Sequence, residues 1–190
     1  SFIMEKKLLS IMNINKFIFF LFITLYSPLG ALAQSAGFNS SYAVFTTTTG
    51  ANKYYCMYSI TACGGVGSLD GANLGTYTYG ATGSNALLFQ GAEHNVYKCG
   101  SADITSTRIN YRIYPNGSPS GSFNVINIGF TSTNGNGCSG QDQRWSNTSL
   151  STNLLTGLSV GNYTIEIYSD ETCTNVPNQF LSNSSNNYKA

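Results

Sequence analysis

Strand-like runs recur along this chain, and helix-like runs do not. In 107–114 and 162–168 every second side chain is apolar, which is the two-residue period of a half-buried β-strand. No window places apolar residues at helical spacing over three turns. The pattern predicts an all-β fold, a single antiparallel β-sandwich of jelly-roll or Ig-like type, with almost no helix outside residues 1–33. The side chains predicted to face its core are Ile109, Tyr111, Ile113, Tyr163, Ile165 and Ile167.

Further strands are predicted wherever β-branched and aromatic runs are bounded by Gly, Asn, Ser or Pro. The strand at 122–130 is apolar on both faces, so we expect it to be covered on both sides. Residues 131–149 are polar and predict a long loop, and 181–187 are rich in Ser and Asn. The remaining strand-like segments are 41–49, 52–60, 74–80 and 85–91.

The first 33 residues have the pattern of a secretory signal peptide with an upstream extension. Lys16 precedes an apolar run, Phe17 to Tyr26, and Ala31-Leu32-Ala33 forms a small-residue cleavage box. The run has 10 residues, whereas a membrane-spanning helix needs about 20. We therefore expect cleavage after Ala33, a short lead at 34–39, a β-sandwich domain at 40–190, and a secreted or cell-surface protein with no membrane span.

Charge is scarce in the predicted mature chain. The full sequence has nine basic and eight acidic residues; removing 1–33 removes three and one, which leaves six and seven and a net charge of −1. Nucleic-acid binding needs a basic patch to neutralise phosphates, so this composition argues against it. A surface of Ser, Thr, Asn and Gly instead suits a neutral partner.

Five cysteines lie beyond residue 33, and one His is present in the whole chain. In an oxidising compartment cysteines favour disulfides, and the absence of a C-x-x-C motif argues against a zinc site. Cys56 and Cys63 flank a short loop and are predicted to pair. Cys138 and Cys173 both lie in polar segments and are assigned to each other, which leaves Cys99 as the predicted free thiol.

One loop carries a candidate ligand site. Trp145 is the only Trp of the chain and could stack on the apolar face of a sugar, with Asp142, Gln143 and Asn147 as hydrogen-bond partners. The alternative is that Trp145 fixes its own loop onto the sandwich, because Trp is usually largely buried. The sequence leaves both interpretations open.

Catalytic and metal-binding patterns are weaker. His94 follows Glu93 in GAEHN, without any activated nucleophile, and is interpreted as a surface turn residue. The segment 134–142 offers calcium one Asp and two Asn, which is too little anionic oxygen. We therefore predict no catalytic residues, no metal and no cofactor.

Several stretches together carry a resemblance to a known module. They are LDGANLGTYTYG, the run from LLFQGAEHNVYKCG through YRIYPNGSPSG, GQDQRW, GNYTIEIYSDE and NNYKA, and they span about residues 40 to 190. The series resembles a β-sandwich module of secreted Bacteroidetes and flavobacterial proteins, which often lies near a type IX secretion sorting domain. The module has no established activity. The five cysteines depart from it, and the chain stops at NYKA, so the resemblance implies a domain truncated at its C-terminus.

These observations favour a secreted, non-catalytic extracellular module with a binding or structural role, such as adhesion, spacing or glycan binding. The expected partner is a neutral glycan or another surface protein. The alternative is a secreted hydrolase, or an accessory domain of a larger secreted enzyme. The absence of a matched nucleophile, base and orienting group favours the first interpretation.

Overall fold

Two antiparallel β-sheets face each other across a shared core. This computed structural model describes residues 34–46, 50–135, 137–138 and 141–190, apart from the Ser84 side chain. Within these ranges the helical content is one 3₁₀ turn at Gly83–Asn85, so the predicted β-sandwich with almost no helix is confirmed. The strands are β1 (Ser35–Thr46), β2 (Asn52–Cys56), β3 (Leu88–Cys99), β4 (Asp103–Pro115), β5 (Asn124–Ile128), β6 (Phe130–Thr133), β7 (Gln143–Asn147), β8 (Thr152–Asn153), β9 (Tyr163–Thr174), β10 (Gln179–Leu181) and β11 (Tyr188–Lys189).

The first sheet has the strand order β2-β1-β3-β7-β6, and β8 also pairs with β3. Its long strands β1 and β3 shift register next to Gly91. Gly91 has a φ of 112°, and a Cβ at this position would collide with the carbonyl oxygen of Asn147. A side chain is therefore excluded, and glycine allows the bulge that brings the two backbones together.

The second sheet has the order β10-β9-β4-β5, and β11 pairs with β9. Its long strands β4 and β9 pair from Asp103–Thr174 to Pro115–Tyr163. β5 lies at the edge, and the chain passes through Gly129 into β6 of the first sheet. The Gly129 carbonyl accepts a hydrogen bond of 2.8 Å from the Ser146 amide, which fixes this crossing point.

The two-residue period assigned the faces of β4 and β9 correctly. Ile109, Tyr111, Ile165 and Ile167 are buried between the sheets. Ile113 and Tyr163 point the same way but are only half-buried, because their neighbours near that end of the sandwich are loops.

Aromatic rings connect the two sheets. Phe45 and Phe89 of the first sheet have ring centroids 5.1 Å apart, and Phe89 meets Tyr111 of the second sheet at 5.0 Å. Both phenylalanines are fully buried. Each buried aromatic ring contributes a large apolar area, so this contact stabilises the packing of one sheet on the other.

Two predictions about the middle of the chain are wrong. Residues 131–149 were expected to form a loop, but they contribute to β6 and contain β7. The strand at 122–130 was expected to be covered on both sides, but β5 is an edge strand and Val125 is 57% exposed. Only part of the run reaches the core, since Ile128 is buried while Val125 faces solvent at the edge of the sheet.

Three further segments differ from the prediction. Residues 34–39 are mostly part of β1 instead of a lead, because β1 begins at Ser35. The Thr-Tyr alternation at 74–80 does not form a strand, although it has a strand's period. The final residues, predicted to begin a strand, do pair as β11 with β9.

The structure forms two disulfides. Cys56 pairs with Cys63, as predicted. Cys99 pairs with Cys138, so the predicted Cys138–Cys173 bond is wrong, and Cys173 instead of Cys99 is the free thiol. Cys173 lies opposite Ile104 inside the β4–β9 pairing, whereas Cys99 ends β3 within reach of the Cys138 segment. Spacing along the chain does not reveal such contacts between strands.

The predicted signal peptide and its cleavage after Ala33 fall on residues 1–33, which lie outside the described residues. Residues Gln34–Ala190 form one compact unit. Among the described residues no helix is long and apolar enough to cross a membrane.

Candidate functional site

The structure places Trp145 in the core. Its side chain is 7% exposed, and its ring meets Phe130 edge to face at 5.4 Å. The indole Nε1 donates a hydrogen bond of 3.0 Å to Gln143 Oε1. Because no face of the indole is open, Trp145 does not offer a stacking surface to a sugar, and the interpretation as a packing residue is the one that fits.

The residues predicted to accompany Trp145 do not form a surface site either. Asp142 is buried, and its Oδ2 accepts a hydrogen bond of 2.9 Å from Asn39. Gln143 is buried beneath Trp145, and Asn147 pairs with Ala92 in the sheet. The four positions therefore do not form an open ligand site, because three of them are buried.

A cleft of about 750 Å³ lies elsewhere, at one end of the sandwich. Its walls are the 71–80 segment and the 154–164 segment, and we call the space between them the loop cleft. Residues of the strand ends, including Ile113 and Ile165, also line it. The two walls are about eighty residues apart in sequence, so only the fold brings them together.

Local hydrogen bonds hold the 71–80 wall in shape without regular structure. The Gly75 amide donates to Asn73 Oδ1 at 2.9 Å, and the Tyr77 hydroxyl donates to the Leu74 carbonyl at 2.7 Å. The Gly71 amide donates to the Lys189 carbonyl at 2.7 Å, which ties the wall to β11. Asx turns of this kind favour loops over strands, which explains why the Thr-Tyr alternation does not pair.

The 154–164 wall is anchored on the core. Leu154 is buried, and its amide donates to the Leu87 carbonyl at 2.9 Å. Ser159 Oγ and the Tyr163 hydroxyl lie 3.0 Å apart in hydrogen-bond contact. The wall therefore offers hydroxyl groups above an apolar floor.

The loop cleft is lined by tyrosines, amides and hydroxyls, with no charged side chain among its lining residues. Tyr77 is half-buried, and burial, with a smaller contribution from Tyr55, raises the pKa of its hydroxyl, so that it stays neutral. Tyr79 is 74% exposed. Such a surface can pack against an apolar face and hydrogen-bond to a polar rim, but it provides no ionic partner.

A smaller cavity of about 230 Å³ shares Ile113, Leu154 and Leu158 with the loop cleft. Its one charged lining residue is Arg112, which forms an ion pair of 2.8 Å with Glu166. The guanidinium is already matched, so this cavity does not provide a free cationic site.

The described residues contain one serine–histidine contact. Ser41 Oγ lies 2.8 Å from His94 Nδ1, but both side chains are fully buried. Burial lowers the pKa of His94 to about 3, so the ring is neutral. The interpretation of His94 as a surface turn residue is wrong, because His94 lies within β3, paired with β1 on one side and β7 on the other, and its side chain is buried. A closed pair of this kind has no path to a substrate.

Two carboxylates of β9 are held in ion pairs. Glu166 pairs with Arg112, and Asp170 pairs with Arg108 at 2.6 Å. The two acids lie four residues apart on the same face of the strand, or ~13 Å at the usual rise of a β-strand. Glycoside hydrolysis needs two carboxyl groups roughly 5–9.5 Å apart, so this pair does not fit.

No three His, Cys, Asp or Glu side chains of the described residues come together as metal ligands. Of the three oxygen donors in the calcium hypothesis, Asn136 lies outside the described residues and Asp142 is bonded to Asn39.

Comparisons of the chain with protein-family models, with curated proteins and with solved structures return no match.

Proposed function

We propose that the protein is a secreted, non-catalytic binding module that holds a neutral glycan in the loop cleft. The observation that carries the proposal is the composition of the cleft, where tyrosines, small polar side chains and aliphatic side chains line about 750 Å³ without a charged side chain. A pyranose ring has an apolar face and a rim of hydroxyls. Both can be matched by such a lining.

Tyr79 is the residue on which stacking depends. It is the most exposed aromatic side chain among the large hydrophobic residues of the described region, at 74%. Tyr77 is fixed by its bond to the Leu74 carbonyl, and Tyr163 by its contact with Ser159. Two positioned rings and one free ring fit a ligand that is oriented by the walls and covered by Tyr79.

Two other observations support export and the absence of catalysis. Two disulfides suit an oxidising compartment, and Ala31-Leu32-Ala33 suits signal cleavage. The Ser41–His94 pair is closed to solvent, and Glu166 and Asp170 are neutralised by arginines. These groups have structural partners, so the proposal assigns them no reaction.

The experiment is retention of the protein on a panel of neutral polysaccharides, followed by calorimetric titration with oligosaccharides of the retained polymer. Truncating a stacked aromatic costs about 2 kcal/mol, or roughly 30-fold in affinity. Tyr79→Ala is therefore expected to weaken binding about 30-fold while the melting temperature stays unchanged.

Tyr54→Ala is the matched control, because Tyr54 is also exposed but lies on β2, away from the cleft. It is expected to bind like the parent protein. Equal losses in both variants, or retention on no polysaccharide at all, would contradict the proposal. Release of sugar from the retained polymer would point to the hydrolase alternative.

A further inference from the structure

Among the described residues, six buried side-chain polar atoms have no hydrogen-bond partner. Tyr55 OH and Asp142 Oδ1 are two of them, and the other four are His94 Nε2, Thr107 Oγ1, Ser169 Oγ and Glu171 Oε2. Their side chains are fully buried, with Glu171 the most exposed at 1%. Buried polar groups in proteins are hydrogen-bonded to protein or to ordered water. Each of the last four groups therefore needs a hydrogen-bond partner.

Three of the four are neighbours on the inner face of the second sheet. Thr107 of β4 lies directly opposite Glu171 of β9. Ser169 is two residues before Glu171 on the same face, opposite Ile109. Directly opposite side chains in a sheet have Cβ atoms roughly 4.5–5.5 Å apart, and diagonal ones roughly 7–8 Å. At such separations one water molecule can bridge hydroxyl and carboxyl groups that do not bond to each other.

His94 approaches the same region from the first sheet. Phe89 of β3 contacts Tyr111 of β4 across the core. Along β3, the inward-facing residues that follow Phe89 are Ala92 and then His94. Along β4, the inward-facing residues that precede Tyr111 are Ile109 and then Thr107. Residues 100–102 connect the end of β3 to the start of β4, so His94 and Thr107 lie between this short connection and the Phe89–Tyr111 contact.

We propose that the two sheets enclose an internal water-binding site formed by Thr107, Ser169 and Glu171, with His94 on the facing side. A buried water needs two to four polar partners, and these residues supply that number. Their complete burial, and their absence from the walls of the loop cleft, fit a ligand no larger than water. The site is independent of glycan binding.

The roles of the groups follow from their chemistry. Thr107 and Ser169 hydroxyls can each donate or accept, while Glu171 Oε1 already accepts a weak hydrogen bond from the Cys173 thiol at 3.7 Å. His94 Nδ1 is in contact with Ser41, so Nε2 is the ring atom left to face the water. Each orphaned atom thereby gains a partner without any movement of the strands.

The test is a crystal structure at high resolution together with ¹⁷O magnetic relaxation dispersion, which counts long-lived internal waters in solution. Ordered water bonded to at least two of Thr107, Ser169 and Glu171 is expected. Thr107→Val combined with Ser169→Ala removes two partners, so the count of long-lived waters should fall by at least one. Thr133→Val makes the same chemical change at an exposed strand position and should leave the count unchanged.

Glu171→Gln covers the case in which the double variant does not fold. The amide keeps the shape and the hydrogen-bonding capacity of the carboxyl group, so the water should remain. Wild-type crystals in which the hydroxyl and carboxyl groups bond directly to one another, or relaxation data without a long-lived water, would overturn the proposal.

Discussion

Phe89 and Tyr111 meet edge to face across the core, with ring centroids 5.0 Å apart and planes inclined by 62°. Phe89 belongs to the first sheet and Tyr111 to the second, so this contact is part of the packing between the two sheets. We expect Phe89→Ala to destabilise the protein by about 3–5 kcal/mol, as loss of a buried ring does.

Urea denaturation followed by fluorescence measures this loss. A double-mutant cycle with Tyr111→Leu should give a coupling of about 0.5–1.5 kcal/mol for the aromatic pair. Val125→Ala, on the exposed edge of β5, is the control and should change stability by less than about 0.5 kcal/mol. A Phe89 variant as stable as this control would show that the sheets do not pack through this ring.

The contribution of Glu171 to stability should fall as the pH rises towards neutral. Burial, together with the neighbouring Asp170, raises the pKa of Glu171 from 4.5 to about 7, although the Cys173 thiol acts in the opposite direction. The folded state thus holds the proton more tightly than the unfolded state. The stabilisation is fully present below about pH 4.5 and is lost as the pH rises through about 7.

The size of this effect is on the order of 3 kcal/mol, from the difference between the two pKa values. His94, whose pKa burial lowers from 6.5 to about 3, makes stability rise over much of the same range. The Glu171 effect is therefore measured as a difference: between pH 4 and 8 the denaturation midpoint of the wild type should fall relative to that of Glu171→Gln, which is neutral throughout. Parallel profiles for the two proteins would show that Glu171 ionises freely in the fold. Glu93→Gln is a suitable control, because Glu93 pairs with the exposed Arg144.

Gly91 should not tolerate a side chain. Its positive φ disfavours any L-residue, and a Cβ would meet the Asn147 carbonyl. We expect Gly91→Ala to cost on the order of 2 kcal/mol or more. Gly129→Ala is the matched control, since Gly129 has no heavy atom within 4 Å of a built Cβ and no positive φ. Thermal unfolding of both variants measures the difference, and equal melting temperatures would contradict the bulge.

Cys173 should be the one cysteine that alkylates without reduction. Burial, with a smaller effect of Glu171, raises the pKa of its thiol to about 11, so at pH 8 alkylation of the folded protein should be slow and should accelerate on unfolding. Mass spectrometry of peptides from the non-reduced protein should find Cys99 joined to Cys138. A Cys138–Cys173 peptide would reverse the assignment.

The alternation of Ile109 with Tyr111, and of Ile165 with Ile167, was sufficient to predict the sandwich and its inward faces. These strands are long, and the inner face is apolar over 109–113 and 163–167, so the two-residue period is unambiguous there. β7 was not predicted as a strand because its sequence, QRWSN, is short and polar. Only Trp145 marks its inward face, and a single residue does not establish a period.

The location of the candidate site was beyond sequence analysis for a different reason. Its neutral character followed from the scarcity of charge, but its position depends on loops that meet only after the sheets have formed. An isolated aromatic residue in a polar segment predicts a ligand site at Trp145, whereas the Thr-Tyr alternation predicts a strand that contains Tyr77 and Tyr79. Asx turns compete locally with strand pairing, and composition alone does not decide that competition.

The bond between Gly71 and Lys189 has a consequence for the loop cleft. Lys189 belongs to β11, which rests on β9, and the Lys189 amide in turn donates to Asp70 at 3.2 Å. One rim of the cleft is thus hydrogen-bonded to β11. By thermodynamic linkage, a ligand whose binding requires this rim also stabilises the pairing of β11 with β9. Conversely, a partner that separates β11 from β9 lowers the affinity of the cleft for that ligand.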